Sequence, residues 1–162
     1  MRRSLIVVGI AVLAVAAAQA PAFASVGFSD VTAETAGPTL VISFTESGLQ
    51  PGQNYAYTAA GTYAETFVCY RDRTFTPTHR IKVVTGEADP DPRTYTANAN
   101  GVVEGFVNLW PNFPFPDFCP PHQSEVPVHI CYQPRDLVDF VEPFDVYYFA
   151  EGTTICGAIE PD

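Results

Sequence analysis

Glu46 to Tyr70 reads ESGLQPGQNYAYTAAGTYAETFVCY, and the fold is decided by how this stretch turns. Gly48-Leu49-Gln50-Pro51-Gly52 carries the signs of a tight reversal. Pro51 presets φ near about −65° at the second position of a turn, and Gly52 can take the positive φ that the next position of a type II turn requires. Leu49 and Tyr55 flank the reversal. A long run rich in aromatic, alanine and threonine residues follows and ends at Cys69, the first cysteine. The spacing predicts that one β-sheet hands over to a second at this turn.

The segments on either side support strands. Leu40, Ile42 and Phe44 alternate with Val41 and Ser43, the period of two of a half-buried strand. Val26 to Thr35 is weakly patterned and reads as an edge strand. After the turn Tyr55 and Tyr57 share a face, Gly61 allows a bend or bulge, and Phe67 and Cys69 lie opposite Val68 and Tyr70. Farther on, a short strand is expected at His79 to Val84 and a brief pairing at Thr94 to Ala97. Asn98 to Gly101 reads as a turn. Val103, Val107 and Leu109 mark a strand with Gly105 on the inward parity. Val126, Val128 and Ile130 mark another, ending near Cys131 and Tyr132. Leu137 to Val141 is expected to be a short helical turn or a loop. Phe144 to Phe149 and Thr153 to Ile159 read as closing strands joined through Glu151 and Gly152. Two proline-bearing segments are expected to be loops: Gly86 to Pro92, and Trp110 to Pro121 with five prolines, because proline restricts its predecessor and donates nothing to a ladder. Seven to nine short strands without a convincing helical period predict an all-β, two-sheet antiparallel sandwich.

The start of the chain predicts export. Arg2 and Arg3 precede an apolar run from Leu5 to Ala18, and Ala22-Phe23-Ala24 fits a small-x-small cleavage site. The run is shorter than the roughly twenty residues that span a bilayer. Residues 1–24 are therefore expected to be a cleaved signal peptide and residues 25–162 a single secreted, extracellular domain. Cleavage leaves six basic side chains (Arg71, Arg73, Arg80, Lys82, Arg93, Arg135) against eighteen acids, a formal charge of −12. So acidic a chain repels nucleic acid and anionic lipid, and neither is an expected partner.

Cys69, Cys119, Cys131 and Cys156 form an even set suited to an oxidising compartment. Three pairings are possible. Cys69–Cys119 with Cys131–Cys156 is preferred: the first would pin the proline-rich loop, the second would tie the last two strands together. Successive spacings of 50, 12 and 25 contain no close pair of the kind zinc sites use.

Several of these motifs carry a resemblance. Leu49-x-Pro51-Gly52-x-x-Tyr55 resembles the corner of immunoglobulin-like and fibronectin-like sandwiches, where a leucine plugs the core and a tyrosine hydroxyl bonds back to the backbone. Thr45-Glu46-Ser47-Gly48-Leu49, Thr96 to Gly105 (TANANGVVEG) and Cys119-Pro120 ahead of a valine-rich strand resemble small secreted actinobacterial immunoglobulin-like β-sandwich proteins of unknown function. That resemblance implies the fold and the Cys69–Cys119 pairing and assigns no functional residue. Gly48 to Tyr55 is also distantly similar to the enediyne-carrying apoproteins, sandwiches with two short disulfide loops that this chain's widely spaced cysteines do not reproduce.

Function is expected to rest on contact rather than catalysis. His79, His122 and His129 are the groups that titrate near neutrality, but no Gly-x-Ser-x-Gly elbow accompanies them, and they read as surface residues. Glu87, Asp89 and Asp91 could offer oxygens to calcium, yet the helix-flanked calcium loop is missing and a solvated loop is the better reading. Trp110, Phe113, Phe115 and Phe118 alternate with prolines. They either form an exposed binding patch or fold back as a cap beside Cys119. The leading expectation is a secreted, non-enzymatic interaction or structural module acting through loops at one end of the sandwich, without a cofactor, on an extracellular protein or small ligand. A small-ligand carrier would instead show a cleft lined by Tyr55, Tyr57, Phe106 and Trp110. A small extracellular hydrolase would show carboxylates converging on His122 or His129.

Overall fold

The computed structural model describes residues 25–112, 117–141 and 144–160. The expected leader, residues 1–24, lies outside them, as do Phe113 and Phe115. The described residues form nine strands: β1 Gly27–Ala36, β2 Thr39–Ser47, β3 Asn54–Arg71, β4 Thr76–Asp91, β5 Arg93–Thr96, β6 Val102–Pro111, β7 Gln123–Asp139, β8 Val146–Tyr148 and β9 Ile155–Ala158. Among them there is no helix, and so none long and apolar enough to cross a membrane.

All pairings are antiparallel and fall into two layers. The first runs β1-β2-β6 and ends on the last residues of β4. In the second, β3 lies between β7 and the first part of β4, β5 continues beside the start of β3, and β8 and β9 follow one another along β7. This is the strand order of immunoglobulin-type sandwiches. Strand β4 belongs to both layers: Thr76 to Glu87 pairs with β3, and Ala88 to Asp91 pairs with β6. That crossing makes the two layers one nearly closed nine-stranded sheet.

The handover from β2 to β3 occurs at the predicted turn. Gln53 N–H donates to the Gln50 carbonyl (3.2 Å) across Pro51 and Gly52, with Gly52 at φ +77°, so the turn is type II. The Tyr55 hydroxyl accepts the Gln50 N–H at 2.9 Å, and Leu49 is buried. Leu49 N–H also donates to the Gly101 carbonyl (3.0 Å), which ties this corner to the Asn98–Gly101 turn before β6. One face of each layer then meets the other. Leu40, Ile42, Phe44, Val103, Val107 and Leu109 pack against Tyr55, Tyr57, Ala59, Tyr63, Ile130, Tyr132 and Leu137. Aromatic rings dominate one end, with Phe28, Phe44, Tyr57 and Tyr95 centroids 4.6–6.2 Å apart, the range of favourable offset and edge contacts.

Both disulfides are present as preferred, Cys69–Cys119 and Cys131–Cys156. The second joins β9 to β7, whose residues 131 and 156 are direct partners, rather than β9 to β8. Three expectations are corrected. Gly86 to Asp91 is strand, not loop. Pro90 is tolerated because from Ala88 onward β4 is the outer strand of the first layer, where a missing N–H breaks no ladder. The short strand at His79 to Val84 is the middle of a strand of 16 residues. And β7 does not end near Tyr132: it continues to Asp139, so Leu137, expected in a turn or loop, is fully buried core. Its prolines fall where pairing slips, since the register with β3 shifts between Ala60/Gly61, opposite Pro134, and between Thr66/Phe67, opposite Pro127. Bulges are where a central strand can hold proline.

Candidate functional site

The aromatic residues do not gather into one described patch. Trp110 lies on the outward parity of β6 opposite Asp89 and is 45 % exposed. Phe118 is half-buried beneath the Lys82 ammonium, 5.7 Å from its ring centroid. The segment between them is anchored at both ends on β3. Tyr63 Oη donates to the Asn112 carbonyl at 2.7 Å, and Cys119 is bonded to the buried Cys69. Those anchors stand six positions apart on β3, roughly 20 Å at strand rise, so Trp110 and Phe118 sit at different ends of the span.

The acidic trio does not converge either. Asp91 accepts from Arg93 Nη2 at 2.6 Å and Nε at 3.2 Å. Asp89 accepts from Asn112 Nδ2 at 3.0 Å, and Glu87 faces Arg135 at 3.5 Å. Each carboxylate has its own donor, an arrangement that suits a solvated strand edge better than calcium. The only group of potential metal ligands among the described residues is His129 with Cys131 and Cys156, their ligand atoms within 4.8 Å of one another. Both sulfurs are committed to the disulfide, so no thiolate is left to coordinate an ion. His129 Nδ1 lies 3.8 Å from Cys131 Sγ, beside a sulfur rather than a hydroxyl nucleophile. The carrier cleft is overturned by burial: Tyr55 and Tyr57 are sealed in the core, whereas Phe106 and Trp110 point outward on β6. Arg93 stacks on Phe106 from outside, 5.0 Å from its centroid.

Two features escaped the sequence reading. The first is a set of buried acids. Glu46, Glu65 and Asp139 have no exposed surface. Glu46 continues the inward parity of Leu40, Ile42 and Phe44, and Glu65 sits between inward Tyr63 and Phe67. No hydrogen bond reaches either oxygen of Glu46 or of Glu65. Desolvation pushes Glu46 up to about 7; the nearby Tyr57 hydroxyl, outside hydrogen-bonding geometry, pulls the other way, and the charges of Asp139 and Asp145 add to the rise. Desolvation alone pushes Glu65 up to about 7. Asp139 is raised too, again chiefly by desolvation, although its Oδ1 accepts the Val141 N–H at 2.9 Å. A charged residue type on the inward parity was the available signal.

The second is the outer limb of the second layer, the β3–β4 hairpin around its turn at Asp72–Phe75. From Thr76 to Glu87 β4 has β3 on one flank and, among the described residues, no strand on the other. Every residue from Thr76 to Val83 except Thr78 is exposed, including Ile81 at 63 % and Val83 at 56 %. Phe75 at the turn is also exposed, leaning on Tyr70 with centroids 5.2 Å apart. Four of the chain's eight basic residues lie on this limb: Arg71, Arg73, Arg80 and Lys82. The two elsewhere in the fold, Arg93 and Arg135, are ion-paired. The four on the limb meet no carboxylate among the described residues.

No family model, curated protein or solved structure matches the chain.

Proposed function

We propose that the chain is an exported, non-enzymatic interaction module that binds its partner through the β3–β4 limb. One observation carries this reading: a strand edge open among the described residues joins exposed Ile81, Val83 and Phe75 to four cations that meet no described carboxylate, on a molecule whose other described basic groups are neutralised. Apolar side chains left in water beside unsatisfied backbone groups mark a contact surface. The disulfides suit an oxidising compartment and brace the limb, because Cys69 lies on β3 near the turn that forms its tip and Cys131 on β7 opposite Ala64 toward its base. Support for a non-catalytic role comes from the histidines, none of which has a hydroxyl nucleophile within hydrogen-bond reach among the described residues.

Capture from the culture fluid of the producing cells tests the reading. The mature protein, an Ile81→Ser/Val83→Ser variant and a Trp110→Ala variant are immobilised side by side. Loss of the same bound species from the first variant and its retention by the second supports the limb. Equal capture by all three refutes it.

A further inference from the structure

The partner's chemistry can be taken further, resting on the limb as the contact surface. Strand β4 shows a different character on each face. Through its pairing with β3, Lys82 stands opposite inward Phe67, and Ile81 opposite outward Val68. By strand alternation Arg80 and Lys82 share the inner parity and Ile81 and Val83 the outer, with the register against β3 shifting just beyond Ile81, where Thr78, His79 and Arg80 face Cys69 alone. A strand laid along the open flank of β4 would place alternate side chains against these two rows. Its inner row would meet Arg80 and Lys82, its outer row Ile81 and Val83. The complement is an extended segment that alternates acidic and apolar residues.

We infer that β4 accepts such a segment of a partner protein as an added antiparallel or parallel strand, held by backbone hydrogen bonds along Thr76 to Val83 and selected by the cationic row. This is strand addition to an exposed edge, in which the ladder supplies affinity and alternate side chains supply specificity. Cations on an edge also deter pairing with a like edge. Two copies of this chain joined edge to edge would bring Arg80 and Lys82 toward the same residues of the other copy, which costs energy. An acidic strand meets no such cost. The device thus excludes the commonest wrong partner, a second copy, while admitting the right one. A flexible polyanion is the less favoured ligand. The cations form a short row on one face, the opposite face is apolar, and the rest of the molecule is strongly acidic.

The test uses a short acetylated and amidated peptide alternating glutamate and valine, titrated into the isotopically labelled mature protein. Amide shifts confined to Thr76–Val83 are expected. Arg80→Glu/Lys82→Glu is expected to weaken binding by at least about tenfold, as two attractive cross-strand pairs become repulsive. Raising the salt concentration weakens the wild-type complex. Two further probes keep a general anion site distinguishable: the same peptide N-methylated at alternate residues on its β4-facing side, and a heparin oligosaccharide. Loss of binding on N-methylation is expected. Undiminished binding of the methylated peptide, or equal binding of heparin, overturns strand addition. Retention of culture-fluid partners by Arg80→Glu/Lys82→Glu, with their loss from Ile81→Ser/Val83→Ser, overturns the acidic strand while leaving the interaction module standing.

Discussion

Two glutamates buried without hydrogen bonds make the stability of this protein depend on pH in an uncommon direction. Glu46 and Glu65 have no solvent-exposed surface, and each ionises near pH 7 instead of near 4.5. Between those values the folded protein keeps protons that the unfolded chain has already released. Stability therefore falls as pH rises through this window. Below about 4.5 both states are protonated and the full contribution is present; above about 7 to 8 it is gone. At about 1.4 kcal/mol for each pH unit, the loss is roughly 3 kcal/mol per carboxyl, an upper figure because a buried site relaxes when it charges. That is a large part of the 5–15 kcal/mol typical of a domain. With a urea slope of about 2 kcal/mol per molar, one carboxyl moves the midpoint by about 1.5 M. The assay is urea unfolding of the oxidised protein at pH 5 and pH 8, for wild type, Glu65→Gln and Glu46→Gln. Wild type is expected to be the more stable at pH 5. Each glutamine variant should lose a similar share of the difference, because the two sites share no partner and their effects add. Surface repulsion among the acids acts in the same direction, but it is common to all three proteins and cancels in the comparison. A wild-type midpoint as high at pH 8 as at pH 5, or an unchanged pH difference in both variants, would refute the reasoning.

Other consequences follow from particular contacts. Tyr55→Phe removes the acceptor of the Gln50 N–H at the corner and should cost about 1 to 2 kcal/mol, read as a lower urea midpoint with unchanged slope. Gly101→Ala should cost at least about 2 kcal/mol, since φ is +70° and an added Cβ would run into the Leu49 carbonyl oxygen; Gly37→Ala, also at positive φ but with open space around it, should cost less. Replacing Cys69 and Cys119 together by alanine opens a link spanning 50 residues, worth roughly 4 kcal/mol in the chain-entropy model against roughly 3.5 for the span of 25 closed by Cys131–Cys156, a ranking that thermal midpoints check. The single tryptophan, Trp110, is half in water, so its fluorescence should be readily quenched by iodide in the folded protein and change little on unfolding.

How much of this was legible in the sequence varies with the kind of signal. The corner was readable because proline and glycine in succession permit few backbone paths and Leu49 and Tyr55 stand at the spacing that such a path brings together. Strands with one wet face were readable because their alternation is written in residue type, as at Leu40, Ile42 and Phe44. Gly86 to Asp91 was misjudged because its prolines were taken to exclude a strand, and Leu137 to Asp139 because the strand through Ile130 was expected to end near Tyr132. Proline excludes a strand only where its N–H is needed, and neither the outer position of β4 nor the bulges of β7 can be known before the partners are. Glu46 and Glu65 stood on inward parity in plain view, but an isolated acid on an apolar face reads as a register slip until neighbouring strands confirm the face. The cationic cluster was countable between positions 71 and 82. That it lies on an open edge was not, since an edge is a property of the whole sheet.

Several departures from a well-behaved sandwich fall close together on one limb, although exposed Phe106, Trp110, Phe140, Phe144 and Tyr148 lie elsewhere. The first layer buries one apolar face, with Glu46 at its end and with Phe106 and Trp110 left exposed on its outer side. On β3 and β4 the exceptions accumulate: Glu65 is buried opposite Val84, and along β4 follow exposed Val83, Lys82, exposed Ile81 and Arg80, the two cations meeting no carboxylate among the described residues. None of these choices helps folding. A buried carboxyl without a hydrogen bond costs free energy, and exposed Ile81 and Val83 gain almost nothing from the core. Sequences depart from mutual consistency where another requirement acts. The limb is held by one disulfide near its tip, Cys69–Cys119, and by the long β3–β7 ladder, so the molecule can carry these costs there and remain folded. A surface left open among the described residues and kept apolar and cationic is what the proposed contact with another chain would use.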